Sequence, residues 1–423
     1  MCSVRLTVFP SIRNIDMTFK VTTLIWVLAA FTGLSRQSPT LHRRDTASDP
    51  LSFSQDGNFK ISIFEDLHFG ENAWEAFGPA ADKKTVGVIT KVLDDAKPDL
   101  VVLNGDLITG ENAFAENATF VLDQLVKPII DRSIPWASTY GNHDYQQNVS
   151  GSDIMAREKQ WLNSRTQKMV SNSNAGVSNY YLPVYASDCT KDDCTPELVL
   201  WFFDSRGGFY FMQTESNDAA KLVGQPNWVD ESVVNWFKSI NSDLNKKHNK
   251  NIPGVAFVHI PPKASSAIQT QGIDHEKNPG INDDSPLSYQ AQGWCKDGSQ
   301  KDSCDYGGQD SAFMKAVADS PGMIGVFSGH DHGNSWCTKW KGSVSGVSVD
   351  GTGVNLCFGQ HTGYGGYGNW IRGSRQLSFT RDKLSKGELD TFIRLESGNI
   401  VGSITLNSTY GEDKYPTTPD DRT

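Results

Sequence analysis

Five short clusters in this chain carry side chains able to bind metal ions and move protons. They are Asp66 and His68 in Glu65-Asp66-Leu67-His68, Asp106 after Gly105, the run Asn142-His143-Asp144 after Gly141, His259 ahead of Ile260-Pro261-Pro262, and His330 with His332 in Gly329-His330-Asp331-His332. Carboxylate, imidazole and amide oxygen are ligands for hard and borderline ions such as iron, zinc or manganese, and no thiolate is among them. A lone carboxylate between two histidine-bearing groups can bridge two cations. Two cations about 4 Å apart clamp the attacking and leaving oxygens of an in-line displacement, a geometry suited to phosphorus. A histidine taken singly is more often structural or solvated, so the weight lies on the arrangement: each cluster falls where a predicted strand ends.

The strand that organises the rest is Leu100-Val101-Val102-Leu103-Asn104. Its apolar run predicts full burial, Gly105 permits a sharp turn, and Asp106 leaves at the carboxyl end, where open α/β sheets place their chemistry. Residues 59–64 predict an earlier strand and residues 81–97 a helix closed by Pro98, which makes a parallel pair with a right-handed crossover. A helix over 113–131, broken at Lys127-Pro128, and a strand over 134–139 repeat the pattern. Further strands are predicted at 198–203, 254–258, 323–327, 354–359, 376–380, 390–395 and 400–406. Val229, Val233, Trp236, Phe237, Ile240 and Leu244 stand at helical spacing, so 228–244 should pack against a sheet. Residues 145–180, with a short helix at 153–165, and 263–309 read as long polar loops. Trp201 and Trp236 are expected in the core, His248 on a solvated helix end, and His275 and His361 in loops. The fold class is α/β.

The 423 residues, 38% of them hydrophobic, are enough for a sizeable core in one large domain or two smaller ones. The formal charge is -10, and setting aside residues 1–44, with six basic residues and one acidic, leaves -15. An acidic body argues against a nucleic-acid partner. Residues 1–34 read as a signal peptide, with a basic lead Met17-Thr18-Phe19-Lys20 and an apolar run over 21–34 that is short for a membrane span. Met17 is an alternative start, and a signal anchor is the alternative role. Arg43-Arg44 resembles a dibasic processing site. Residues 35–57 are expected as a flexible lead or propeptide, 58–410 as the folded domain, and 411–423 as a disordered acidic tail. Apart from Cys2 there are six cysteines, an even set suited to disulfides, and the short loops favour the pairs Cys189–Cys194 and Cys295–Cys304, leaving Cys337–Cys357. Asn117, Asn148 and Asn407 head glycosylation sequons. These cues agree on a secreted, extracellular protein without a stable membrane span, with a vacuolar or cell-wall location as alternatives.

Taken in order, Asp-x-His, Gly-Asp, Gly-Asn-His-Asp, His and Gly-His-x-His resemble the blocks of the calcineurin-like metallophosphoesterase superfamily, over roughly residues 59–358. That resemblance implies two mixed β-sheets packed as a sandwich flanked by helices. It implies that Asp66, His68 and His332 bind one metal, that Asn142, His259 and His330 bind the other, and that Asp106 bridges them. The implied cofactors are two ions per chain, iron, zinc or manganese, and the implied reaction is hydrolysis of a small phosphorylated substrate by a metal-bound hydroxide. His143 would be the catalytic histidine, with Asp144 orienting it. The run 356–368, rich in glycine and tyrosine, is similar to plant and fungal phosphoesterases related to purple acid phosphatases. It departs from true purple acid phosphatases, because Thr109 stands where they carry a ligand tyrosine and His68 has no counterpart in them. Arg372 and Arg375 after that run are candidate phosphate contacts. A phosphomonoesterase is the expected activity; a phosphodiesterase or nucleotidase on the same ions, and a non-catalytic binding protein on this scaffold, are the alternatives.

Overall fold

The computed structural model describes residues 50–189, 193–216, 218–301 and 304–423, and the expected signal peptide lies outside them. The first strand, β1 (Leu51–Ser52), is followed by the buried Phe53, so the folded part begins inside the segment expected as a flexible lead. Next come β2 (Asn58–Phe64), α1 (Phe77–Ala96), β3 (Leu100–Asn104), α2 (Val121–Ile130), β4 (Trp136–Thr139) and α3 (Gly151–Glu158). The expected break at Pro128 does not occur. Pro128 is buried in the last turn of α2, which runs on to Ile130 without the one helical hydrogen bond that a proline cannot donate. The chain continues through β5 (Tyr180–Tyr185), β6 (Leu198–Phe203), a hairpin of β7 (Phe209–Glu215) and β8 (Asp218–Gly224), α4 (Glu231–His248), β9 (Gly254–Val258), α5 (Lys263–Gln271) and α6 (Ser311–Ala318). It closes with β10 (Met323–Ser328), β11 (Cys337–Gly342), β12 (Gly351–Phe358), β13 (Gly373–Thr380), α7 (Arg381–Leu384), β14 (Leu389–Leu395) and β15 (Ile400–Leu406).

Two mixed sheets carry the architecture, one in the order β1-β5-β6-β9-β10-β12-β11 and the other β15-β14-β13-β2-β3-β4. Strands β2, β3 and β4 run parallel, as do β6, β9 and β10, so their carboxyl ends gather on one edge of each sheet. The period-two rule explains the layers. Phe59, Ile61, Ile63, Leu100 and Val102 meet Leu200, Phe202, Val255 and Phe257 in the core between the sheets. Their alternates Phe64, Val101 and Leu103 face the other way, onto Val88, Val92, Leu122 and Leu125 of α1 and α2. On the far side Val199, Trp201, Ala256 and Val326 are covered by Val233, Phe237, Phe313 and Val317 of α4 and α6. The result is the expected helix-flanked sandwich.

The three expected cysteine pairs are formed, and Cys337 and Cys357 stand directly opposite each other on β11 and β12. No described helix is long and apolar enough to cross a membrane. The tail expected to be disordered is instead tied down. Tyr415 N–H donates to Glu276 O, Ile371 N–H to Asp421 O, and Thr423 N–H to Asn369 O.

Candidate metal centre

The turns that follow β2, β3, β4, β9 and β10 bring Asp66 and His68, Asp106, Asn142, His259 and His330 with His332 to one seam between the sheets. Asp66, His68 and His332 form one group, and Asp106, His259 and His330 a second, with the ligand atoms inside each group within 4.8 Å of one another. The His68 and His332 Nε2 atoms are 3.2 Å apart, and His332 Nε2 is 3.6 Å from Asp66 Oδ1. Asp106 Oδ2 reaches both groups, at 2.9 Å from His259 Nε2 and 3.9 Å from His68 Nε2, the place a bridging carboxylate needs. Asn142 Oδ1 is buried with no hydrogen-bond partner, a cost that a metal ligand would remove. The residues therefore fit a pair of cations: converging oxygen and nitrogen donors, one shared carboxylate, and an orphaned amide oxygen beside them.

Outer contacts fix how the imidazoles face. His259 Nδ1 donates to Asn104 O at 2.9 Å and His332 Nδ1 to Tyr367 O at 2.8 Å, which leaves the Nε2 lone pairs pointing inward. His68 Nδ1 pairs with Thr109 Oγ1 at 2.9 Å, so the residue standing at the purple-tyrosine position supports a ligand. Four ligand residues have left-handed backbone, Asp66 (φ 52°), His68 (φ 50°), Asp106 (φ 47°) and His330 (φ 77°), a conformation that costs energy in any residue but glycine. Gly105 (φ 92°) is required by a neighbour as well as by its turn, because a Cβ there would lie 2.4 Å from the His259 ring.

Burial and charge set the proton affinities. Burial, reinforced by neighbouring cationic imidazoles, lowers His68 and His330 to about 3 and puts His332 well below its usual value. Burial also opposes charge on His259, but Asp106 and then Asp66 outweigh it and raise His259 to about 10. Burial lifts Asp66 to about 7 against the pull of His259, whereas on Asp106 the His259 and His143 charges win and hold the carboxyl well below the ordinary range. Asp106 and three of the imidazoles thus stand in the forms that bind cations, whereas His259, and Asp66 in part, would have to give up a proton to an incoming ion.

Around this centre several expectations change. Asp144 does not orient His143: its Oδ1 accepts from Leu107 N–H (2.9 Å) and Ile108 N–H (3.1 Å), and its Oδ2 from Gly141 N–H (2.8 Å), so it knots the two ligand turns together. His143 stands beside the candidate ligands, its ring 4.9 Å from that of His68 and its N–H donating to Asp106 Oδ1. Its Nδ1 partner is Glu111, at 2.5 Å, which no sequence signal marked. Arg375 is not a phosphate contact. It is 1% exposed, and its guanidinium is spent on Phe358 O, Thr391 Oγ1 and Ser335 O inside the core. Arg372 is likewise buried and donates to Trp370 O and Gly368 O, bracing the glycine-tyrosine run from beneath.

That run is a packed lip over the first ligand group. A Cβ on Gly366 (φ 71°) would fall 2.5 Å from His332 Cε1, and Gly366 N–H donates to Glu71. The His332 ring is held between Tyr367, stacked at 4.0 Å, and His361 at 3.9 Å. His361 is therefore a buried support, not an ordinary loop residue; His275 lies in a turn, as expected, and is exposed.

Comparisons with known proteins agree with this geometry. The family described as calcineurin-like phosphoesterase matches residues 59–334. The chain is 26% identical to the Arabidopsis thaliana protein named "Probable inactive purple acid phosphatase 14", over 82% of this chain and 83% of that one. It is 28% identical to Phosphatase DCR2 of Saccharomyces cerevisiae, over 70% of this chain and 47% of the yeast protein, about half of its length. Among solved structures, a dimetal phosphatase from Danio rerio shares the fold at TM-score 0.50 and 11% identity, covering 85% of this chain and 99% of that one. All five ligand-bearing turns fall inside the matched segment, and the chain belongs to the calcineurin-like phosphoesterase family.

Proposed function

We propose that this chain is a secreted, glycosylated phosphomonoesterase that uses two metal ions, of iron, zinc or manganese type, at the seam between its sheets. The observation that carries the reading is Asp106, placed within reach of both three-ligand groups with His143 beside it. Asp66, His68 and His332 would hold one ion, and Asn142, His259 and His330 the other. When bound, such a pair supplies Lewis acidity to the phosphate and to an attacking water. The chain's own residues do the rest. Asp144 locks the two turns that bear Asp106 and Asn142, the lip excludes water above His68 and His332, and His143 offers a proton donor at the open side. The intact ligand set favours activity, although the Arabidopsis relative carries "inactive" in its name. Sequon Asn117 is exposed and Asn148 and Asn407 are half-buried, which leaves each open to a glycan at the surface.

The test is hydrolysis of a phenyl-type phosphomonoester and the matching diester by chelator-free protein secreted from a eukaryotic host, alongside Asp106→Asn and metal analysis. Two metals per chain and monoester turnover abolished by the substitution are expected. Diester turnover alone would replace the reading with a phosphodiesterase, and neither metal nor turnover would leave a binding scaffold. Endoglycosidase treatment that leaves the electrophoretic mobility unchanged would remove glycosylation from the reading.

A further inference from the structure

We propose that residues 420–423 are a strap that fixes Tyr367 as one wall of the substrate entrance, with Arg422 as its positioning residue; this rests on the phosphomonoesterase reading above. The strap pairs antiparallel with the lip. Ile371 N–H donates to Asp421 O at 3.0 Å and Thr423 N–H to Asn369 O at 2.7 Å, with Trp370 and Arg422 opposite each other between them. The side chains add a second layer. The Arg422 guanidinium lies 5.3 Å from the Trp370 ring centre and donates to Asp283 Oδ2 at 2.6 Å and to Asp420 Oδ2 at 2.9 Å. The same Asp283 oxygen accepts from Trp370 Nε1 at 2.9 Å, and Trp370 meets Tyr367 edge-on at 6.0 Å. Tyr367 completes the path to the metal centre: its hydroxyl accepts from His332 N–H at 3.1 Å and donates to Asp284, while its ring stacks on His332 at 4.0 Å.

The lip needs such contacts from outside because four of the eight residues 362–369 are glycine, which gives up the most conformational freedom on ordering. Its first half is bonded to the body of the domain, through Gly363 N–H to Asp66 O, Tyr364 N–H to Thr85 and Gly366 N–H to Glu71. Its second half, Tyr367 to Trp370, rests on Arg372, Asp283, Asp284 and the strap. Tyr367 is 49% exposed and covers a His332 that is 3% exposed, so the ring borders the approach to the first ligand group. An aromatic ring there meets the organic part of an ester by stacking, whereas the phosphate is anchored by the metal centre. The strap therefore bears on which organic group is accepted. An exposed ion pair and a cation–π contact are each modest, and together they favour the held lip by about tenfold.

The experiment uses the metal-loaded chain and compares Arg422→Ala, Arg422→Lys, Tyr367→Ala, and Arg422→Ala combined with Tyr367→Ala. Tyr367→Ala keeps the carbonyl that orients His332. Turnover of p-nitrophenyl phosphate gives KM and kcat, inhibition by inorganic phosphate is measured alongside, and chymotryptic cleavage after Tyr364 and Tyr367 reports the lip directly. Arg422→Ala is expected to raise KM about five- to tenfold, to leave kcat and phosphate inhibition within about twofold, and to speed cleavage of the lip about tenfold. Arg422→Lys, which keeps the charge beside Asp283 but stacks less well on Trp370, should fall between. In the Tyr367→Ala background, Arg422→Ala should add nothing to KM. Equal changes in KM and in phosphate inhibition, a KM effect that persists without Tyr367, or cleavage as slow as in wild type would overturn the assignment. Wild-type protein that turns over no monoester would refute the phosphomonoesterase reading, and the cleavage rates would still decide whether the strap holds the lip.

Discussion

Replacing Arg375 by methionine separates a structural arginine from a substrate contact. The guanidinium is 1% exposed and donates to Phe358 O at 2.6 Å, Thr391 Oγ1 at 2.9 Å and Ser335 O at 2.5 Å. Its charge also faces the buried Glu65, whose carboxyl is raised well above the usual range by burial and then by Asp66, with Arg375 among the groups opposing the rise. A hydrogen bond from a charged donor contributes about 1.5–3 kcal/mol, and the loss of three would come to about 4.5–9 kcal/mol if nothing were returned. Methionine returns part of it, since it fills most of the volume and ends the cost of burying a charge. A net loss of about 3–4 kcal/mol remains, largely from carbonyls left without donors. In a chain of this size that lowers the thermal midpoint by roughly 4–5 °C. The assay is thermal unfolding followed by circular dichroism, together with KM for a phosphomonoester at a temperature where both proteins are folded. A normal midpoint with KM raised tenfold would refute the structural assignment. A lowered midpoint with KM unchanged is the expected result.

Gly366→Ala should cost about 1–2 kcal/mol for the left-handed backbone, and should weaken binding of the ion at the first group at least tenfold, because the added methyl meets His332 Cε1 at 2.5 Å; titration with zinc by calorimetry reads both sites. Asp310, raised to about 6 by burial, binds its proton more tightly in the folded than in the unfolded chain, so its contribution to stability is full below pH 3.8 and is lost as pH rises through 6. Urea denaturation should show wild type losing about 2–3 kcal/mol more than Asp310→Asn between pH 4 and pH 7, and parallel pH curves would rule that out. Chelation of the metals should lower the thermal midpoint and leave the far-ultraviolet circular dichroism unchanged, since the ligand turns are held by Asp144 and backbone bonds; loss of helix signal on chelation would contradict this.

Much of the site was legible in sequence because ligands placed at strand ends depend only on where apolar runs stop. Leu100 to Asn104 and Gly254 to Val258 are buried along their whole length, and each run of that kind announces both a strand and the residue that leaves it. Elements without that contrast were not legible. The hairpin strand β7 is half to fully exposed and shows no alternation, and β5 contains Pro183, which argues against a strand although it pairs with Val199 at the sheet. Roles set by distant partners were also hidden. Glu111, Arg375 and His361 owe theirs to His143, to the carbonyls of residues 335 and 358, and to His332 respectively, and no local spacing encodes those meetings. The tail at 411–423 is polar enough to look disordered because backbone hydrogen bonds, not apolar burial, hold much of it.

The left-handed ligand residues bear on how such a centre ages over generations. A position with φ near 50° tolerates asparagine or glycine far better than a β-branched residue. Asp66, His68, Asp106 and His330 can therefore drift to asparagine or glycine with the loop geometry retained, and each such exchange weakens a metal donor or, with glycine, removes it. Metal binding on this scaffold is more easily lost than its shape, and a lineage that abandons it keeps a folded body available for another use.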